Sequence, residues 1–433
     1  MKRLLSLASG ALLALLALAG PATAQTLGSG PVTLSDILSE ARRANPDLEA
    51  ARARYRAADE AGAQASAFPD PELSLSWSPK PTQTRAGPLD YRVGIKQRIP
   101  FWGERGLREE RAEHMAGALE AAATSAEFDL DLEVRLAFFE WLFAREALSI
   151  NESNRSLLSQ FRRIAEQRYR AGLVPQSDPL KAGVALARVD AVDAGFRRAI
   201  ENTRARINVL LNRAPDAPLG EPQAPPLVFE VPAYEELAHR ALETRPELSA
   251  ARSEIAASES ALDLSRKDYW PDLSVGADYG VVKGGTNPGF AKDGDDIVSV
   301  MVGLNVPIQV GRRSAAVSER SAGLAAAQAR AQGLSRHVQL EVHEHYTRLA
   351  EMREVLALYR ERIIPTVQLE LDATRLAYSG AKASFLELLD SERSLEEVLM
   401  EQARALRDYR QSHARLQRAV GAPIEGAPEG SGQ

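Results

Sequence analysis

Apolar residues recur at sevenfold spacing over two very long stretches of the chain. Leu136, Phe143, Ile150, Leu157 and Ile164 form one such row, inside a proline-free run from Glu104 to Arg170. In a second run, beginning at Ala315, Val338, Met352 and Tyr359 form a row that His345 interrupts, beside Val342, Leu349, Leu356 and Ile363. Sevenfold rows of this kind make the apolar seam of a coiled-coil helix. At 1.5 Å per residue the first run predicts a helix on the order of 100 Å long, deeper than an ordinary globular core. Pro365 falls within the second pattern and is read as a kink.

Each run ends in a break followed by a new helical start. The first break is Tyr169-Arg-Ala-Gly172-Leu-Val-Pro175-Gln-Ser177-Asp178. The second is Tyr378-Ser-Gly380-Ala-Lys382-Ala-Ser384, where Gly380 stops the helix. Ser384 caps the next helix, with Glu387 at the third position as in a capping box. Both breaks are predicted to be tips of helical hairpins.

Four segments alternate with period two instead. Leu73, Leu75 and Trp77 alternate with Ser74, Ser76 and Ser78, and Tyr91, Val93, Ile95 and Ile99 with Arg92, Gly94, Lys96 and Arg98. Leu273 to Val281 and Val298 to Val306 follow the same rule. Such alternation describes half-buried strands, joined here by the loops Pro79 to Pro88 and Gly284 to Asp296. A water-facing sheet on a soluble domain fits the alternation. Membrane strands fit it as well, and their lengths approach the ten or so residues a bilayer needs. Trp77, Trp102 and Trp270, three of the four tryptophans, lie in or beside these segments, as an interfacial girdle requires. Because about eight strands is the smallest closed barrel, four would have to close with other copies of the chain.

The strands belong to a duplication. Asn45-Pro-Asp-Leu48 and Ala50-Ala-Arg52 are answered by Arg245-Pro-Glu-Leu248 and Ala250-Ala-Arg252. Further on, Phe68-Pro-Asp70 answers Trp270-Pro-Asp272, Ile99-Pro100 answers Val306-Pro307, and Gly103-Glu-Arg105 answers Gly311-Arg-Arg313. A repeat of this length organises the fold ahead of local propensity. It gives a first half over 25–213, a proline-rich linker over 214–232, a second half over 233–421 and a disordered Gly/Pro-rich tail over 422–433. Each half reads as short helix, helix, two strands and long hairpin, with Thr33 or Ser35 capping the first helix.

Residues 1–24 read as a cleaved secretory signal, with Lys2 and Arg3 ahead of an apolar core and Ala22-Thr23-Ala24 before the cut. A retained anchor is the alternative, but the apolar run is shorter than a spanning helix wants. The chain has no cysteine, which excludes disulfides, thiolate metal sites and lipid attachment at a mature N-terminal cysteine. A net charge of -6 argues against a nucleic-acid partner.

Taken together, the duplicated strand pairs and hairpins, Pro69-Asp-Pro-Glu-Leu73, Gln97-Arg-Ile-Pro-Phe-Trp-Gly103 and the two tyrosine-led tips resemble the TolC-type outer-membrane efflux channels, particularly their heavy-metal (cobalt-zinc-cadmium) branch. The resemblance implies a mainly α fold with a small β part. It further implies a homotrimer, in which duplicated antiparallel hairpins form an α-barrel reaching into the periplasm. Four strands per chain would then join a shared twelve-stranded barrel in outer-membrane lipid. The partners implied are a periplasmic adaptor and an inner-membrane pump, with no cofactor and no chemistry by the channel itself.

By the same resemblance, Tyr378 and Asp178 tie neighbouring helices at a closed gate, and Glu387 and Asp390 form a carboxylate ring at the periplasmic entrance. Residues three apart share a helix face, and three copies would gather six carboxylates that attract cations. A solvated acidic face together with Glu392, Glu396 and Glu397 is the plainer reading. Where well-known members carry a gate arginine this chain has Ala383, with Lys382 adjacent, so the lock is expected to be weaker or differently wired. His343 and His345, two apart, point in different directions on a helix and cannot chelate together, so no metal site is assigned. A periplasmic coiled-coil scaffold is the alternative function. An enzyme ranks third, since neither a His-Glu-x-x-His motif, a nucleophile elbow nor a phosphate loop occurs.

Overall fold

The computed structural model describes residues 30–284 and 294–424. The predicted signal over 1–24, the tail from 425 onward and most of the 284–296 loop lie outside the described residues. The first half runs α1 (Leu34–Ala44), α2 (Pro46–Ala65), β1 (Glu72–Thr84), β2 (Gly87–Ile99), α3 (Glu104–Arg170) and α4 (Ser177–Leu210). The second repeats that order with α5 (Tyr234–Thr244), α6 (Pro246–Lys267), β3 (Leu273–Val282), β4 (Ile297–Leu304), α7 (Val310–Leu358), a π-helical turn (Tyr359–Ile363), α8 (Ile364–Ser379) and α9 (Phe385–Val420). The fold is thus mainly helical with one small sheet. The described residues form two compact units, one of residues 30–45, 133–227 and 352–411, the other drawn from residues 46–132, 228–351 and 412–424.

In the first unit, Thr33 caps α1 through a capping box with Asp36. The buried side of α3 there includes the sevenfold row Ala137, Ala144, Asn151, Leu158 and Ala165, together with the bulky Phe138, Trp141, Leu148 and Phe161. The predicted row of Leu136, Phe143, Ile150, Leu157 and Ile164 lies one position over and is half-buried or exposed. The seam therefore lies one column over from the predicted row, which forms its flank. Val338 and Val342 of α7, in the second unit, and Leu349 of the same helix are buried as expected, as are Met352 and Leu356 in the first unit.

Pro365 is not a plain kink. It follows the π-helical turn Tyr359–Ile363 and sits at the start of α8. Proline lacks the donor for its fourth-preceding carbonyl, and a widened turn ahead of it absorbs that mismatch. The 214–232 linker carries no helix or strand, yet it is pinned. Val32 donates to Glu221 O at 2.8 Å, Gln223 donates to Val32 O at 2.9 Å, and Asn208 Nδ2 bonds Ala217 O at 2.8 Å.

In the second unit the sheet order is β1-β2-β3-β4, antiparallel throughout. The first strand pair is longer than its alternation suggested. β1 continues to Thr84 and β2 begins at Gly87, so the predicted Pro79–Pro88 loop shrinks to Arg85 and Ala86. The register shift between Trp77 and Thr82 accommodates Pro79, and β1 is an edge strand, where a missing donor is tolerated. β4 stops at Leu304, short of Val306, and α7 begins at Val310 rather than Ala315.

The two halves use the same device where strand meets helix. Arg105 Nε donates to Ser66 O and Arg313 Nε donates to Asp268 O, each at 2.6 Å. Each arginine of the repeated glycine-x-arginine motif therefore holds a carbonyl just beyond the end of the preceding helix, α2 or α6.

Candidate functional site: a helical tip and an apolar sheet

The tip gathers α3, α4, α8 and α9 around one apolar cluster. Leu158, Phe161 and Ala165 come from α3, Ala182 and Val189 from α4, Leu371 and Tyr378 from α8, and Phe385 and Leu388 from α9. The end of α3 closes with Gly172 N–H to Tyr169 O at 2.9 Å and Leu173 N–H to Arg168 O at 2.9 Å. The end of α8 repeats this with Ala381 N–H to Tyr378 O at 3.1 Å and Lys382 N–H to Ala377 O at 2.8 Å. Both have the bonding of a Schellman motif, whose left-handed residue is Gly172 in one and Ala381 in the other. Gly380, predicted to break the helix, has an ordinary negative φ of -82° as the C-cap.

Tyr378 is 3% exposed, and its phenol oxygen is buried without a hydrogen-bond partner within the chain. Asp178 is 7% exposed and accepts from Ser177 Oγ at 3.3 Å. The structure thus brings Tyr378 and Asp178 into one electrostatic neighbourhood without the expected hydroxyl tie between helices. Burial raises the phenol pKa, Arg168 opposes the rise and Asp178 adds to it.

Arg168 was not singled out in the sequence. Its guanidinium lies over the Tyr378 ring, 4.7 Å from the centroid, and Nη1 donates to the Tyr378 carbonyl. The tip therefore contains an arginine, contributed by the first hairpin and gripping the second. Ala383, where the resemblance led one to look for it, packs against the apolar cluster. Lys382 is exposed. Arg168 stands one residue ahead of the tyrosine that opens the first tip, and only its side-chain reach across helices reveals it.

Glu387 and Asp390 both lie exposed near the start of α9. Glu387 also completes the predicted capping box. Its carboxylate accepts from Ser384 N–H at 2.7 Å, and its own N–H donates to Ser384 Oγ at 3.2 Å. In the other unit, His343 meets the Tyr234 ring edge-on at 5.1 Å, while burial lowers the pKa of half-buried His345. Among the described residues no group of three or more His, Cys, Asp or Glu could hold a metal ion.

The sheet sorts its residues by face. Leu73, Ile95, Ala277 and Val300 lie in register across all four strands, as do Leu75, Val93, Tyr279 and Val298. This face is bare, with Leu73 78% and Val300 77% exposed. The opposite face carries Ser74, Gly94, Asp278 and Ser299 in one row and Arg92 and Lys96 on β2. Gly94 is needed there, because a Cβ on it would lie 2.2 Å from Asp278 Oδ1. At the foot of the sheet, Asp272 accepts from Arg98 Nε and from Phe101 N–H, both at 3.0 Å, and Phe101 stacks on Trp270 at 5.1 Å. Among the described residues no helix is long and apolar enough to cross a membrane.

Comparison with known proteins places this geometry. Residues 37–213 and 237–422 match the family model described as outer membrane efflux protein. The cobalt-zinc-cadmium resistance protein CzcC of Cupriavidus metallidurans is 22% identical over 399 residues, covering 91% of each chain. Among solved structures, CusC aligns with a TM-score of 0.78 at 18% identity, over 94% of this chain and 96% of that one. The outer membrane protein VceC of Vibrio cholerae aligns with a TM-score of 0.74 at 20% identity, over 90% of this chain and 97% of that one. With both halves matched by the family model and the fold shared along nearly the whole chain, this protein belongs to the outer membrane efflux protein family.

Proposed function

We propose that the chain works as one third of a passive export duct, a homotrimer whose twelve strands close a barrel in the outer membrane. The observation that carries this reading is the sheet. One face is apolar and exposed along its length, and β1 and β4 each pair on one side only. An open apolar sheet of four strands is an aggregation hazard in water. Closure with further copies in lipid satisfies both its edges and its apolar face.

The duct performs no chemistry of its own. Its partners are a periplasmic adaptor and an inner-membrane pump, and heavy-metal cations are among its substrates, the last by analogy with the resistance protein named above. At the tip, Arg168 and Tyr378 lock the second hairpin to the first, with Asp178 buried beside them and Lys382 exposed at the turn. Glu387 and Asp390 supply the carboxylate ring at the periplasmic entrance. A periplasmic scaffold with a soluble sheet is disfavoured by the bare apolar face.

Removing the inner membrane and fractionating the remainder tests the reading. The protein should stay with the outer membrane, need detergent for extraction and conduct ions in planar bilayers. Recovery as a water-soluble protein would return the scaffold to first place.

A further inference from the structure

Below the tip cluster, α9 carries a glutamate that none of the roles above uses. Glu392 is 5% exposed, and its Oε1 has no hydrogen-bond partner within the chain. Facing it from α3 is Asn154, 7% exposed, with neither Oδ1 nor Nδ2 partnered. One turn below Asn154, Asn151 bonds Val189 O at 3.1 Å and Asp193 at 3.0 Å through Nδ2, leaving its Oδ1 unpartnered. Glu392, Asn154 and Glu396 line one groove of about 750 Å³ between α4 and α9.

An ionised carboxylate in this position would be desolvated without a countercharge in hydrogen-bond contact. That is the costly case for a buried charge. A neutral carboxyl is tolerated, because the Asn154 amide offers an acceptor to its O–H and a donor to its C=O. The charges around it are mixed. Glu396, one turn on, favours the neutral form, while the facing Asn154 amide and, less strongly, Arg393 favour the ionised one. Lys181 and Arg188 of α4 and Asp390 of α9 also line the groove, and α3 presents Asn154 and Leu158, which do not titrate. Burial first, and Glu396 second, push the Glu392 carboxyl up to about 8.

We propose that the closed tip holds a proton on Glu392 and releases it when α9 parts from α3, so that opening is linked to proton loss and favoured as the pH rises. The sign follows from linkage. A carboxyl raised above its ordinary value of 4.5 supports the closed state fully below that value. The support is lost progressively as pH climbs to about 8. Within that window one proton per chain changes the closed-to-open ratio by up to about tenfold per pH unit. The inference rests on the reading of the tip as the gate.

Two readouts separate it from that reading. In the detergent-solubilised protein near neutral pH, infrared difference spectroscopy should show a protonated carboxylic-acid band that Glu392→Gln removes. In planar bilayers, open probability should rise several-fold as the tip-side solution goes from acid to mildly alkaline. Glu392→Gln, which is neutral at every pH, should stay closed throughout, and Glu396→Gln should shift the rise to lower pH. Absence of the band overturns the proton on Glu392. If the band titrates while conductance stays flat, or if Glu392→Gln keeps the wild-type pH response, the switch is overturned, and in the flat case the fault lies with the tip as gate.

Discussion

Gly172 and Ala381 hold the same place in the two tips: each follows its tyrosine by three residues and each has positive φ, 71° and 57°. Glycine takes this conformation freely, whereas alanine pays a steric penalty from its Cβ. The second tip is therefore built on a strained residue. Ala381→Gly should stabilise the closed tip by about 0.5–1 kcal/mol, once the greater unfolded-chain entropy of glycine is set against the relief of strain. Gly172→Ala should destabilise it by about 1 kcal/mol. Hydrogen-exchange protection of the neighbouring amides, Lys382 and Leu173, reads both, and equal effects at the two sites would sink the comparison.

The lock between hairpins should depend on Arg168 more than on the phenol of Tyr378. Arg168→Ala removes a charged hydrogen bond and a ring contact, together about 1.5–3 kcal/mol on the closed side, and should raise conductance in planar bilayers. Tyr378→Phe keeps the ring and the carbonyl and deletes an oxygen sealed without a partner. It should conduct like wild type. A leaky Tyr378→Phe channel beside a tight Arg168→Ala channel would reverse the assignment.

Neutralising the proposed ring requires care with Glu387, whose carboxylate also caps α9. Glu387→Gln with Asp390→Asn keeps the capping geometry while removing up to six charges from a trimer. Cation selectivity from reversal potentials should collapse while thermal stability stays near wild type. Replacing Glu387 by Ala should instead cost about 1 kcal/mol through the lost cap. Selectivity that survives the neutral pair would place both carboxylates outside the conduction path.

The second unit holds an ion network around two buried arginines that should set its acid limit. Arg418 bonds Asp129 at 2.6 Å and pairs with Glu247, and Arg245 bonds Glu247 at 2.9 Å and Glu341 at 2.9 Å. Burial alone would raise Glu247, but the hydrogen bonds from Arg418 and Arg245 outweigh it and bring its pKa down to about 2. A depressed carboxylate stabilises fully above its ordinary 4.5 and loses that contribution as pH falls toward 2. Melting temperature should drop across that interval in wild type. Glu247→Gln should melt lower at neutral pH and show a flatter acid limb.

Much of the fold was legible because its signals are local. The bounds of α3 at Glu104 and Arg170, the Ser384 cap and the four alternating strands all follow from caps, breaks and periodicity. The seam of α3 lies one column from the expected row because Leu136, Phe143 and Ile150 outrank Ala137, Ala144 and Asn151 on any hydrophobic scale, while the bulky residues buried beside the smaller row, Phe138, Trp141 and Phe161, share no single sevenfold register. β1 was read short because proline marks a turn unless the strand is known to be an edge. Ala381 was passed over because alanine carries no turn signal. Arg168 carried no local signal, because its partner Tyr378 is 210 residues away, and Glu392, which the sequence suggests on a solvated acidic face, is buried at 5% exposure because α9 turns it toward other helices.

The central claim is that the bare sheet closes only between copies of the chain in lipid. Native mass spectrometry of the detergent-extracted protein tests it most directly, paired with deletion of residues 77–99. The account predicts three chains per particle for the wild type, and loss of both trimer and membrane insertion for the deletion. A monomer that inserts by itself, or a deletion variant that still inserts as a trimer, would contradict it.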